Sequence, residues 1–261
     1  MKKSYPNTSD RKNDHIQLSL NDNGNYRNKT AGFELYDFEH YAATEVLLTN
    51  IDLTTDFFGN RIYYPFIISC MTGGTVETGK INEMLAETAS ELNIPVGVGS
   101  QRQALEGTNQ HQSFKVLRQK ARNVPILGNI GAAQFSKFKG LDEIRLMIDL
   151  IEADVMVVHL NPLQELIQKE GQTDFVGLIK NLEKVCAKIT TPIIIKEVGA
   201  GIGPNAAKQL LNTGIMGIDV AGAGGTSWAG IETLRNGENE SEFWDWGLPT
   251  TYCIRKISKL K

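Results

Sequence analysis

No apolar run in this sequence approaches the length of a membrane span, so it offers no transmembrane helix. Its opening residues, MKKSYPNTSDRKNDH, carry lysines with no apolar stretch behind them, which excludes the pattern of a secretory signal. Basic charge is not in excess. The 27 Lys and Arg against 30 Asp and Glu leave a formal net charge of -3, without the footprint of a nucleic-acid binder. Cysteine is scarce: Cys70, Cys186 and Cys253 are far apart, odd in number, and fit no metal-ligand spacing. Read as reduced thiols, they indicate a cytoplasmic protein. What is present is ordinary globular material, 261 residues of which 41% are hydrophobic, enough to bury a core without disulfide or metal staples.

Residues 1–30 are polar, rich in Asn, Asp and Lys, and show no sustained period. They read as a segment that is mobile alone and orders on contact with something else. From about Phe33 a rhythm sets in. Apolar runs at 65–69 (PFIIS), 95–99 (PVGVG), 125–129 (PILGN), 155–160 (VMVVHL), 192–197 (PIIIKE) and 216–222 (MGIDVAG) read as strands, four of them opened by proline. Lys80–Leu92, Leu141–Glu152, Phe175–Ile189 and Asn205–Asn212 carry helical spacing between them. Near-continuous apolar strands about 25 to 35 residues apart are the grammar of βα units in a parallel sheet. An open doubly wound sheet shares that grammar, with its chemistry at one switch point. Here Gly-rich or polar sequence follows nearly every strand, which favours a closed ring, the TIM (β/α)8-type barrel. Six βα units are countable where eight are needed, so the expected domain, residues 31–261, is an incomplete barrel.

The chemistry is expected where those strands end. Met71, Thr72 and Gly73 lie in a glycine-opened loop (MTGGT) whose backbone can approach a flat or anionic ligand. Ser100 and Arg102 follow the second strand, with a hydroxyl and a planar guanidinium suited to phosphate. Asn129 ends the third with a donor and an acceptor for a heterocycle edge. The fourth gives the sharpest cluster: alternation puts His159 and Asn161 on one face, with Gln164 and Glu165 just beyond. Glu165 could bind a hard divalent cation bridging a diphosphate. Lys196 interrupts an apolar strand, and burying it is costly without an anion to meet, although pairing with Glu197 is the plain alternative. Thr226 follows the Gly-rich turn AGAGGTSW. Arg11, Lys12, Asp14 and His15 form a charged cluster that would ordinarily be a solvated face.

Taken in order, RKNDH, MTGGT, GSQRQ, GNIGAAQ, HLNPLQE, KEVGAGI, DVAGAGGTSW and WGLPT make the chain resemble the type 2, flavin-dependent isopentenyl diphosphate isomerase family over nearly its whole length. The resemblance implies a barrel holding FMN and Mg²⁺, NAD(P)H as reductant, and a symmetric homo-oligomer once the barrel is complete. It implies a redox-neutral conversion of isopentenyl diphosphate to dimethylallyl diphosphate. By the same resemblance Met71, Thr72, Gly73, Ser100, Asn129, Lys196 and Thr226 line the flavin. Arg11, Lys12, Ser100, Arg102, Asn161 and Gln164 meet the substrate, Glu165 binds the metal, and Gln164 and His159 serve the proton chemistry. The N-terminal segment then closes over the substrate.

Family members continue past WGLPT with two more strands, and barrels usually grip a ligand phosphate in the loops after strands seven and eight. The expectation is therefore weak or absent FMN retention, with open sheet edges on the first and sixth strands. Two other readings stand beside this one. An FMN oxidoreductase acting on hydroxy acids would need a histidine base late in the barrel, and no histidine follows His159. A non-catalytic remnant would fold in part or serve as a binding partner. None of the readings involves nucleic acid or a membrane.

Overall fold

The computed structural model describes residues 8–20 and 24–260. In chain order the regular elements are α1 (Thr8–Ser19), the hairpin β1 (Thr55–Phe57) and β2 (Asn60–Ile62), α2 (Val76–Leu92), β3 (Val96–Gly97), α3 (Arg102–Glu106), α4 (His111–Lys120), β4 (Ile126–Gly131), α5 (Ala132–Phe135) and α6 (Asp142–Ile151). They continue with β5 (Val155–Leu160), α7 (Pro162–Ile167), α8 (Leu178–Cys186), β6 (Ile193–Glu197), α9 (Pro204–Leu211), β7 (Gly217–Asp219), α10 (Trp228–Arg235) and α11 (Thr250–Ile257). The strands β3-β4-β5-β6-β7 form one parallel sheet in sequence order, as successive βα units require. The result is an incomplete (β/α)8-type barrel.

The two faces of this sheet are separated by strict alternation. Leu127, Val155, Val157 and Ile194 point inward, where Cys70 and the hairpin's Phe57 and Phe58 pack on them. The intervening residues, Ile130, Met156, Val158, Ile193 and Ile195, face outward onto helical residues such as Met147, Leu182, Val185 and Leu210. The hairpin therefore plugs one end of the barrel interior. Its two-residue turn places Phe58 and Gly59 both at positive φ, 49° and 83°, the form that matches strand twist. Above the plug, the same inward positions become polar: Asn129, His159 and Lys196.

Of the six expected strands, the first is reduced to a single bridge from Ile68 to Val96. The backbone there still hydrogen-bonds to Pro95 and Gly97, but Phe66 and Ile67 are exposed beside it. A strand with a partner on one side only has half its ladder unmet. The sixth is shorter than 216–222, ending at Asp219, because Ala221 turns to φ 34° and leaves the extended region. Helix α2 begins earlier than Lys80: Thr75 and Thr78 form a reciprocal capping box at its start. Helices α3, α4, α5, α7, α10 and α11 and the hairpin went unread in the sequence. Residues 1–7 and 21–23 of the N-terminal segment lie outside the described residues, whereas 8–19 form α1, packed on α10.

Candidate active site

At the C-terminal ends of the strands lies a cavity of about 360 Å³, opposite the hairpin plug. Its floor is set by strand register. His159 on β5 and Lys196 on β6 are Cα partners, while Asn129 on β4 stands level with Val157. His159 Nδ1 donates to Asn129 Oδ1 at 2.9 Å, which leaves Nε2 of the neutral ring as an acceptor. Burial, and then the Lys196 ammonium, push the His159 imidazole down to about 3, so it is neutral. Lys196 does not pair with the Glu197 carboxylate. Its Nζ donates to the Glu197 carbonyl at 2.8 Å, while that carboxylate turns to the other face and collects the amides of Val198, Gly199 and Gly201.

One wall is the 71–74 loop. Gly73 is buried against Phe114, where a Cβ would come within 2.7 Å of the ring. Thr72 Oγ1 donates to Asn82 Oδ1 at 2.5 Å, and Asn82 in turn donates to the Ser113 carbonyl, so the loop is held from behind by α2 and α4.

Across the mouth runs α1, whose Arg11 and Lys12 converge with Arg102 from α3. Burial, then Arg11 and Arg102, pull the Lys12 ammonium down to about 8. Burial and Arg102 likewise lower Arg11, against the carboxylates of Glu165, Glu170 and Glu232. Lys12 Nζ donates to the Gly73 carbonyl and to Gln103 Oε1. Three cations around one cavity, with the charged forms of Arg11 and Lys12 disfavoured, suit an anion, since a bound anion relieves the repulsion. Arg102 retains one partner, Glu106 at 2.9 Å.

The third wall is α7 with α10. Gln164 accepts from Asn161 Nδ2 at 3.1 Å and donates to Glu232 Oε1 at 3.3 Å, which fixes its amide. Glu232 is fully buried, and despite that burial it is held below the usual carboxylate range by His15 and Arg235. His15 approaches it at 2.8 Å and packs edge-on to Trp228. Glu165 accepts from Asn161 at 3.2 Å and from the Gln172 amide at 2.6 Å.

Met71, Thr72, Gly73, Ser100, Arg102, Asn129, His159, Gln164, Glu165, Lys196, Arg11 and Lys12 therefore share this cavity. Asn161 does not line it: β5 ends at Leu160, and Asn161 turns away to cap α7, beside Gln164 and Glu165. Thr226 also lies off the cavity, in a bridge to Asn25. Sequence reasoning passed over Glu232 and Gln168, and gave Trp228, which also lines the cavity, no role of its own. Glu232 sits four residues after Trp228 on one face of α10, a helical spacing that marks it once the helix is known.

The family model for FMN-dependent dehydrogenases matches residues 6–139. Isopentenyl-diphosphate delta-isomerase of Pelodictyon phaeoclathratiforme is 44% identical over 97% of this chain and 74% of its own length. The enzymes of the same name from Vibrio campbellii and Chlorobium limicola are 43% and 41% identical, covering 75% and 74% of those proteins. This chain belongs to the type 2 isopentenyl-diphosphate isomerase family. Residues of its RKNDH, MTGGT and HLNPLQE segments line one cavity, and the chain spans about three quarters of the length of those relatives. Among solved structures, an active chimera of (S)-mandelate dehydrogenase superposes with a TM-score of 0.52 at 11% identity, over 79% of this chain and 69% of that one, which is a likeness of fold.

Among the described residues no group of three His, Cys, Asp or Glu could hold a metal alone. Glu165 nevertheless suits a magnesium ion bound chiefly through substrate phosphates, which needs only one or two protein carboxylates. Beside it, just off the cavity, the buried Asn161 Oδ1 has no hydrogen-bond partner among the described residues and could offer a second hard oxygen if the side chain turned inward. The 71–73 loop and the Asn129, His159 and Lys196 floor line the same cavity and offer a flavin ring an amide, an imidazole and an ammonium for its polar edge.

Proposed function

We propose that this cavity converts isopentenyl diphosphate to dimethylallyl diphosphate, with reduced FMN, kept reduced by NAD(P)H, and Mg²⁺ as cofactors. The observation that carries the reading is one cavity lined by three cationic side chains, Arg11, Lys12 and Arg102, and by the polar strand-end residues Asn129, His159 and Lys196. Arg11, Lys12 and Arg102 would hold the diphosphate, with Ser100 donating to it and Glu165, flanked by Asn161, holding Mg²⁺ on its oxygens. Met71, Thr72, Gly73, Asn129 and Lys196 would hold the flavin ring. Thr226 would reach its phosphate side only with a rearranged 223–227 turn. Helix α1, the N-terminal closing segment, would shut water out once substrate is bound.

The reaction moves one proton onto C4 of the alkene and takes one from C2, through positive charge at C3. Bound reduced flavin supplies an electron-rich face to that charge. Gln164, fixed between Asn161 and Glu232, orients the allylic carbons, since a neutral amide is a poor acid or base. His159, neutral, presents Nε2 as an acceptor. The three free thiols support a reducing, cytoplasmic setting. The exposed apolar segment from Phe33 to Leu53 supports assembly into a homo-oligomer.

The test supplies FMN, NADPH, MgCl₂ and isopentenyl diphosphate anaerobically and follows dimethylallyl diphosphate by mass spectrometry. Product formation that collapses in Gln164→Ala is expected. Flavin binding without turnover, or hydride transfer from a 2-hydroxy acid instead, would overturn the reading.

A further inference from the structure

Gln101 is fully buried beneath the cavity floor without lining it. Its backbone amide donates to the Asn129 carbonyl at 2.8 Å, and its side-chain Oε1 accepts from the Asn129 amide at 3.1 Å. Both backbone groups of Asn129 on that edge are thus met by one residue. The chain has already left β3 for α3, so a side-chain amide supplies the rung that a longer strand would provide. Nε2 of Gln101 donates to the Met147 carbonyl of α6 at 3.0 Å, tying this rung to the outer helical layer. Gly128 leaves the space it needs: a Cβ there would stand 2.9 Å from Gln101 Oε1.

From these contacts we infer that Gln101 is a positioning residue, which locks the Asn129 end of β4 and through it holds His159 as the Nδ1–H tautomer. Asn129 Oδ1 can only accept, so its placement decides which imidazole nitrogen carries the proton. The significance for turnover rests on the proposed isomerase reading, because a free Nε2 is what His159 would offer a substrate. The tautomer itself does not depend on that reading.

The chain has four histidines, so imidazole ¹⁵N NMR of the full chain resolves His159, assigned by its loss in His159→Asn. The wild-type spectrum should show a pyrrole-type Nδ1 and a pyridine-type Nε2 at neutral pH. Gln101→Met keeps the length and removes the amide. It should move the tautomer ratio toward unity by roughly tenfold, the weight of one ordinary hydrogen bond. Gln101→Glu keeps an acceptor for the Asn129 amide and should restore the wild-type pattern. An unchanged tautomer in a folded Gln101→Met, or equal loss in both variants, overturns the inference. If Gln101→Met does not fold, Gln101→Glu decides against Asn129→Ala: the former must retain the pattern and the latter lose it. Isomerase activity enters none of these outcomes, so failure of the functional reading is distinguishable.

Discussion

His159 and Lys196 occupy the same register level of two adjacent parallel strands, side chains on the same face, above a hydrophobic plug. With Lys196 as neighbour, and burial as the larger cause, His159 refuses a proton until about pH 3. The sign of the consequence follows from linkage. The unfolded chain binds this proton near pH 6.5 and the folded chain does not, so the stabilisation is complete above about 6.5 and lost as pH falls toward 3. Urea denaturation from pH 7 to 4 should show a falling midpoint, less steep in His159→Asn. Lys196→Met should bring the histidine titration upward but leave it below the free value, since desolvation persists.

A second pH effect belongs to the mouth. Lys12 sits at about 8 because burial and then Arg11 disfavour its charge. The affinity for inorganic pyrophosphate relative to that of Lys12→Met, which cancels the titration of the ligand itself, should be constant below about pH 8 and fall by up to about tenfold per pH unit above it. Isothermal titration calorimetry from pH 6.5 to 9.5 measures this. Lys12→Met should bind more weakly below pH 8 and keep only the pH dependence of the ligand.

Much of this site was readable because strand ends announce themselves. VMVVHL at 155–160 is β5 residue for residue, and the polar residues that close the runs at Asn129, His159 and Lys196 do meet at one cavity. What was not readable depended on the third dimension. The polar face of α1 gives no period, because its side chains spend their contacts on Gly73, Gln103 and Glu232, far away in sequence. Glu232 drew no notice in the sequence, and its burial against His15 and Arg235 is what distinguishes it. Asn161 and Thr226 sit in recognisable motifs, yet a strand end at Leu160 and a bridge to Asn25 turn them off the cavity.

The segment from Phe33 to Leu53 is continuously exposed and carries Phe38, Tyr41, Leu47 and Leu48 among its apolar side chains. Contiguous apolar surface of this kind drives association. The chain should bind a hydrophobic dye and, in size-exclusion chromatography, elute earlier than a monomer of its mass, moving later as concentration falls and the assembly dissociates. Phe38→Lys combined with Leu48→Glu should reduce both signals. The melting temperature should stay unchanged, because neither residue packs in the core.

Trp244 carries the last prediction. It is 3% exposed, its Nε1 donates to the Asn25 carbonyl at 2.8 Å, and the Arg27 guanidinium lies 3.7 Å above its ring. Beneath it, Gly230 of α10 leaves so little room that a Cβ would approach the indole within 2.6 Å. One indole thus fastens both the 24–30 segment and the helix that carries Trp228 and Glu232 to the cavity. Trp244→Ala should cost about 3–5 kcal/mol, the range for emptying a large aromatic site. Trp244→Phe keeps most of the packing and loses the hydrogen bond to Asn25, a cost near 1 kcal/mol plus the unmet carbonyl. Gly230→Ala should cost about 1–3 kcal/mol by overpacking the same contact. Urea denaturation gives the three values, and limited proteolysis should cut near residues 24–30 faster in Trp244→Ala than in Trp244→Phe. Equal cutting in both would mean that the strap is held by its Asp245 contacts, through the Arg27 and Asn28 amides, rather than by the indole.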